Sequence, residues 1–260
     1  MEIRKNNSGP VSVFTMVANE WHREKDWPLP RTEWTKLYLA GDGSANRRDG
    51  GGRLALAPAA DSAPDHYAYD PARMPDIELD FDDLSGAQAT RDGSQDPDRE
   101  DVLDFTSPPL AHALELTGPF SAVLAVTTDA VDTDFVVGLV KLAPDGTTLD
   151  LRGGIQRLRY RSGYAREDRA EPGELSTLTI DLWATGIRLD QGDRLRVEVS
   201  SNGFPGTARN LNTGEPDATA TRMVVANQTV YHDAARPSYV VLPVIPRAGT
   251  GSLEFAPEAR

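Results

Sequence analysis

Cysteine is absent from the 260 residues, and with it go disulfides, thiolate nucleophiles and zinc–thiolate sites. Histidine is scarce: His22, His66, His112 and His232 are the full set. None forms a His-x-x-x-His pair, so no metal and no cofactor is expected. No apolar run approaches the roughly 18 residues needed to cross a bilayer. The N-terminal MEIRKNNSGPVSVFTMVANEW also lacks the apolar stretch of a signal peptide. Lys and Arg number 27 against 40 Asp and Glu, a net charge of −13. Phosphate binding needs clustered cations, so nucleic acid is excluded as a partner, and membrane with it. The expectation is a soluble, cytoplasmic protein with a well-hydrated acidic surface.

Helical periodicity is the other shortage. No apolar pattern at i, i+3, i+4 and i+7 runs beyond about three turns. What is there instead is a succession of short β-type runs: VSVFTMVA (11–18), TKLYLA (35–40), RLALA (53–57), ALELTGPFSAVLAVTTD (113–129), DFVVGLVKLA (134–143), IQRLRYRS (155–162), LSTLTIDLWAT (175–185), DRLRVEVSS (193–201), NQTVYHD (227–233) and SYVVLPVI (238–245). GDGSAN, PDGT, EPGE, DQGD and NGFPG punctuate them as turns. The pattern predicts an all-β jelly-roll sandwich, galactose-binding-domain-like, with little helix. Its expected parts are a lead-in over 1–34 packing on the sandwich, the sandwich itself over 35–247, and a tail over 248–260. One acidic segment, 76–104, is longer than the usual connection between strands and reads as mobile or surface-covering.

Familiar hydrolytic chemistry is missing. A nucleophile elbow needs Gly-x-Ser-x-Gly on a strand-to-helix turn, and GDGSANR and RSGYA both fail that pattern. RRDGGGRL (47–54) runs into a strand rather than a helix, so it reads as a turn and not a phosphate cradle. Acidic runs supply Asp129, Asp132 and Asp134 in one place and Asp80, Asp82 and Asp83 in another. Hard cations take such oxygens, but neither run has the spacing of a calcium loop.

Several longer stretches then appear in order: NEWHREKDWPLPRTEWTKLYLAGDG (19–43), DHYAYDPARMP (65–75), REDVLDFTSPPL (99–110), VDTDFVVGLVKLAPDGTTLDL (131–151), GIQRLRYR (154–161), SSNGFPGTARNLNTG (200–214) and NQTVYHDAARPSYVVLPVIPR (227–247). Together they resemble the C-terminal part of the cocaine esterase (CocE/NonD) hydrolases, over roughly 11–247. That group is related to X-Pro dipeptidyl peptidases, α-amino-acid ester hydrolases and glutaryl-cephalosporin acylases. The resemblance implies a jelly-roll that, in the family, follows an α/β-hydrolase domain carrying Ser, His and Asp. Those three positions precede the region this chain resembles, so no catalytic residue carries over and hydrolase activity by the chain alone is not expected.

The resemblance also implies a role at the mouth of an acyl pocket for the stretch after YDPARMP. Here it reads DIELDFDD, with Asp80 and Phe81 where an apolar pair would fit, so both are candidate binding residues. Gly192-Asp193-Arg194 replaces the family's frequent Gly-His-Arg and reads as a surface or interface change. In the loop after VEVSS, Arg209, Asn210 and Asn212 are the remaining candidates. A structural role for that loop is preferred over ligand contact, because Asn side chains close turns on nearby backbone.

Three functions follow. The leading one is a non-catalytic module that scaffolds or binds a hydrolase, as a partner chain or domain, or a small ligand; a homo-oligomer stays open. The second is a stand-alone enzyme with an acid/base site built from Asp80 or Asp134 with His232 or Tyr231. The third is a carbohydrate-binding module using Trp21, Trp27, Trp34 and Tyr38, although these aromatics are expected to cover a face of the sandwich.

Overall fold

The computed structural model describes residues 9–47, 50–73, 100–216, 218–247 and 250–257. Alternating apolar residues become thirteen strands among them: β1 (Val11–Thr15), β2 (Glu20–Glu24), β3 (Glu33–Ala40), β4 (Arg53–Ala55), β5 (Asp65–Tyr69), β6 (Val102–Thr106), β7 (Leu114–Thr128), β8 (Asp134–Leu142), β9 (Thr148–Arg157), β10 (Ser176–Leu189), β11 (Arg194–Ser200), β12 (Ala226–Tyr231) and β13 (Tyr239–Val244). Helix among these residues is limited to a 3-10 turn at Leu158–Tyr160, which ends the strand expected to run on to 162. The fold is an all-β sandwich.

Strands β1 and β2 form a separate hairpin. The others follow the order β5-β12-β7-β13-β3-β4-β6-β11-β8-β9, with β10 on the other edge of β7. β7 is long enough to pair with β10 along its whole length and with β12 and β13 in succession. Its even-numbered residues Leu114, Leu116, Phe120, Ala122, Leu124 and Val126 all face inward. On β10, Leu178, Ile180 and Leu182 are buried while Thr177, Thr179 and Asp181 are exposed, the alternation of a strand with one wet face. Phe105 of β6, Val197 and Val199 of β11 and Phe135, Val137 and Leu139 of β8 meet these side chains in one continuous core.

A bulge between Asp181 and Ala184 interrupts the β10–β7 ladder and turns Trp183 outward, where it is 71% exposed. Trp183 holds a left-handed backbone, φ 64°, that a bulky residue adopts only when its surroundings impose it. Asp181 Oδ1 accepts the Trp183 N–H at 2.8 Å, and Arg152 Nε donates to the Ala184 carbonyl at 2.7 Å. Gly154 is required beneath: a Cβ there would lie 2.1 Å from the Asp181 carbonyl oxygen.

The turn into β11 corrects one expectation. Asp193 is buried, not a surface change. Its Oδ2 accepts the Asp190 N–H at 2.8 Å and lies 3.1 Å from Lys141 Nζ on the neighbouring β8. The turn folds inward because β11 pairs with β8, bringing Leu195 opposite Lys141.

The core makes a contrast that melting can read. Leu124→Ala, at a fully buried site, is expected to cost about 2–5 kcal/mol in a urea titration. Thr179→Ala on the exposed face of β10 is expected to stay within about 0.5 kcal/mol of the parent.

Candidate functional site

The loop after β11 is organised from below. Asp132 and Asp134 sit in the turn into β8 and at its start, both buried, and buried carboxylates demand donors. Asn210 supplies two: its Nδ2 lies 3.0 Å from Asp132 Oδ2 and 2.9 Å from Asp134 Oδ1. The same side chain turns the loop, since Asn210 Oδ1 accepts the Asn212 N–H at 2.9 Å. Asn212, left-handed at φ 60°, then donates from Nδ2 to the Val224 carbonyl at 2.7 Å. Arg209 reaches the other way, its Nη1 2.8 Å from the Pro71 carbonyl just beyond β5. Arg209, Asn210 and Asn212 thus converge on protein groups in three different directions.

Charge is balanced within the same cluster. Arg157 grips Asp134 with two nitrogens, at 2.8 and 2.9 Å, the bidentate geometry that makes such pairs strong. Asp132 Oδ1 accepts the Arg159 N–H at 2.9 Å. Burial nevertheless pushes the Asp132 carboxyl up from the usual carboxylate range, outweighing the bonds from Asn210 and Arg159. Nearby, Tyr69 is pushed up to about 12 by burial first and by the Asp134 charge second. Asp129 does not join these groups; its carboxylate bonds Asn227 through the backbone N–H at 2.8 Å and the side chain at 2.6 Å. Among the described residues, no group of three His, Asp or Glu is placed to hold a metal ion.

A second buried network was not legible in the sequence. His232, just after β12, has Nε2 2.8 Å from Asp65 Oδ2 and Nδ1 2.7 Å from Ser62 Oγ. Composition alone would make this a Ser-His-Asp triad, but the wiring and access are wrong for one. Ser62 is 8% exposed, and its Oγ also accepts the Gly41 N–H and lies 2.9 Å from the Gly41 carbonyl. Asp65 Oδ1 accepts the Ala45 N–H at 2.8 Å, and the Phe105 ring meets the imidazole edge-on at 5.6 Å. The cluster ties the ends of β3 and β12 to the start of β5. It also overturns the pairing of His232 with Asp134 in an acid/base site, because each is committed to a different network. Tyr231 lies under the Arg236 guanidinium, 3.9 Å from the ring centroid.

Asp80 and Phe81 lie outside the described residues. Of the aromatics expected to cover a face of the sandwich, Trp21, Trp27 and Trp34 are 47%, 42% and 52% exposed. Trp21 leans on Phe14 at 5.2 Å with the rings tilted by 46°, and Tyr38 packs on Tyr239 at 5.4 Å. Trp21 stands on β2 of the separate hairpin, and Trp34 on β3 opposite Pro243 of β13.

Residues 4–241 match the family model of the X-Pro dipeptidyl-peptidase C-terminal non-catalytic domain. The chain belongs to that family. It is 39% identical over 246 residues to the cocaine esterase of Rhodococcus sp. (strain MB1 Bresler), a match covering 91% of this chain and 42% of that enzyme. An aminopeptidase from a marine sediment Thaumarchaeota archaeon superposes with a TM-score of 0.78 at 28% identity, covering 92% of this chain and 41% of that one. An α-amino-acid ester hydrolase superposes with a TM-score of 0.77, also at 28% identity, covering 90% and 41%. The chain therefore spans about two fifths of the length of these proteins.

Both networks carry expected losses. Asn210→Ala removes one donor from each of two buried carboxylates that keep their Arg157 and Arg159 bonds, and is expected to cost about 1–3 kcal/mol in all. Asn210→Asp is expected to be worse at pH 7 and to recover part of the deficit at pH 5. Burial already holds the Asp132 carboxyl above its ordinary range, so acidification is expected to relieve the repulsion, and urea midpoints at the two pH values test the sign. His232→Ala is expected to lower the same midpoint by a similar amount, through Asp65 and Ser62.

Proposed function

We propose that the chain serves as the brace and rim of a serine hydrolase, docking against a domain that carries the nucleophile and performing no hydrolysis alone. The match to a non-catalytic domain across residues 4–241 carries this reading, because the chain aligns with only 42% of the Rhodococcus cocaine esterase. Substrates, whether esters or X-Pro amides, belong to that whole assembly. The internal satisfaction of the Asn210 and His232 clusters supports it, since groups bound to one another are unavailable for acid/base work. Exposed indoles, among other exposed apolar side chains such as Phe204 and Leu175, support docking, tryptophan being a frequent anchor of protein interfaces.

In this reading Asp80 and Phe81 belong to the rim of the acyl pocket, while Arg209, Asn210 and Asn212 shape the loop beside it. The lead-in over 1–34, the sandwich over 35–247 and the tail over 248–260 are its working parts. Among the described residues no helix is long and apolar enough to cross a membrane. The cytoplasm is the compartment we propose.

The purified chain is expected to show no turnover of short-chain p-nitrophenyl esters or X-Pro-p-nitroanilides, and no labelling by a fluorophosphonate. Turnover that persists through repurification would overturn the proposal. So would fluorophosphonate found on Ser62 by peptide mapping, since it would mean the buried Ser-His-Asp cluster reaches solvent and reacts.

A further inference from the structure

We infer that the β1–β2 hairpin is a strap whose clasp opens on mild acidification while the sandwich beneath it stays folded. On β1, Val13 and Thr15 are buried, whereas β2 has little to hold it. The hairpin turn meets the free edge of β10 through Met16, whose N–H donates to the Gly186 carbonyl at 2.8 Å and whose carbonyl accepts the Arg188 N–H at 3.1 Å. Strand β2 is mostly exposed and adds no apolar residue to the core cluster. What holds β2 in place is therefore mainly ionic.

Arg247, just past β13, is the centre of the clasp. Its Nε lies 3.0 Å from Glu115 Oε2 on β7, and its Nη2 lies 4.0 Å from Glu24 Oε1 on β2. Arg31 grips Glu24 with two nitrogens at 2.6 and 2.8 Å. Toward His22, Arg247 Nη1 stands 2.8 Å from Nε2 and 3.3 Å from Nδ1. A guanidinium only donates, so the contact needs a lone pair on the imidazole and therefore a neutral ring. A proton on His22 turns an acceptor into a second cation against Arg247.

The charged groups facing His22 are Glu20 and Glu24 on its own strand, Arg31 in the segment that follows, and Arg247; β1 opposite contributes none. Glu20 attracts the imidazolium from 3.5 Å, but its side chain is largely in water. The balance lowers the His22 pKa, through burial first and Arg247 second. Since the clasped pKa is depressed, His22 stabilises the clasp above its ordinary value. That contribution is lost as pH falls from there through the clasped value.

The carboxylates act in lower windows. Glu24 is held below the usual range, chiefly by Arg31, so it stays ionised. Glu115 is raised by burial, and its protonation favours the folded state, opposing His22. Just below about pH 6.5, His22 is the group with the opening sign.

Opening bares the Gly186 carbonyl and the Arg188 N–H on β10, an unpaired strand edge ready to accept another chain. Hydrogen exchange on the whole chain, corrected for intrinsic rates, reads this directly. Protection of residues 11–24 is expected to fall by up to about tenfold per pH unit below pH 6.5, with β8 and β11 unchanged. The fall is expected to track titration of the His22 ring followed by NMR, and to be absent in His22→Gln. Should His22→Gln leave the hairpin open at every pH, the wild-type series decides. Flat hairpin protection, loss in step with β8 and β11, or an unaltered pH dependence in a clasped His22→Gln would overturn the inference.

Discussion

Two carboxylates inside an apolar sandwich need donors that water would otherwise supply, and Asp132 and Asp134 impose that demand at the loop end of this fold. Arg157 neutralises Asp134, the Arg159 backbone serves Asp132, and Asn210 bridges both. The long segment after β11 is held by this requirement. Its one indispensable anchor lies at the bottom, and Asn212, Arg209 and the Arg169 bond to the Gly214 carbonyl spread the tie to three neighbouring segments. A loop fixed this way presents its outer surface in one shape.

The Ser62–His232–Asp65 cluster makes a complementary point about chemistry. The residue types of a hydrolase triad stand at hydrogen-bond distance, yet the hydroxyl is also bonded to Gly41 and the whole is enclosed. What separates a catalytic relay from a structural tie is access and an unspent hydroxyl, not the trio itself. In a family whose catalytic residues reside in another domain, the tie secures β3, β5 and β12 to one another.

Much of the fold was legible because period-two alternation survives wherever one face of a strand is buried: β7, β8, β10, β11 and β13 were all anticipated within a few residues. Strands β2, β5 and β6 were not. Each has only five residues, with polar or charged side chains breaking the apolar pattern, and β2 has Trp21 as its single apolar side chain. The bulge at Trp183 was hidden too, because it depends on Gly154 beneath and Arg152 beside it, from a different strand.

The ordered motifs from NEWHREKDW to YVVLPVIPR determined family membership, and alternation with turn residues determined the all-β class; both are properties of neighbouring residues. Tertiary structure alone decided which polar groups are spent. His232 meets Asp65 across 167 residues of sequence, and Asn210 meets Asp132 across 78. Such pairings are set by which strands lie side by side, and buried polar groups are satisfied by whatever donor that arrangement brings within reach. The loop for which the sequence favoured a structural role over ligand contact was given its anchor only when β8 was laid beside β11, over the carboxylates that Asn210 serves.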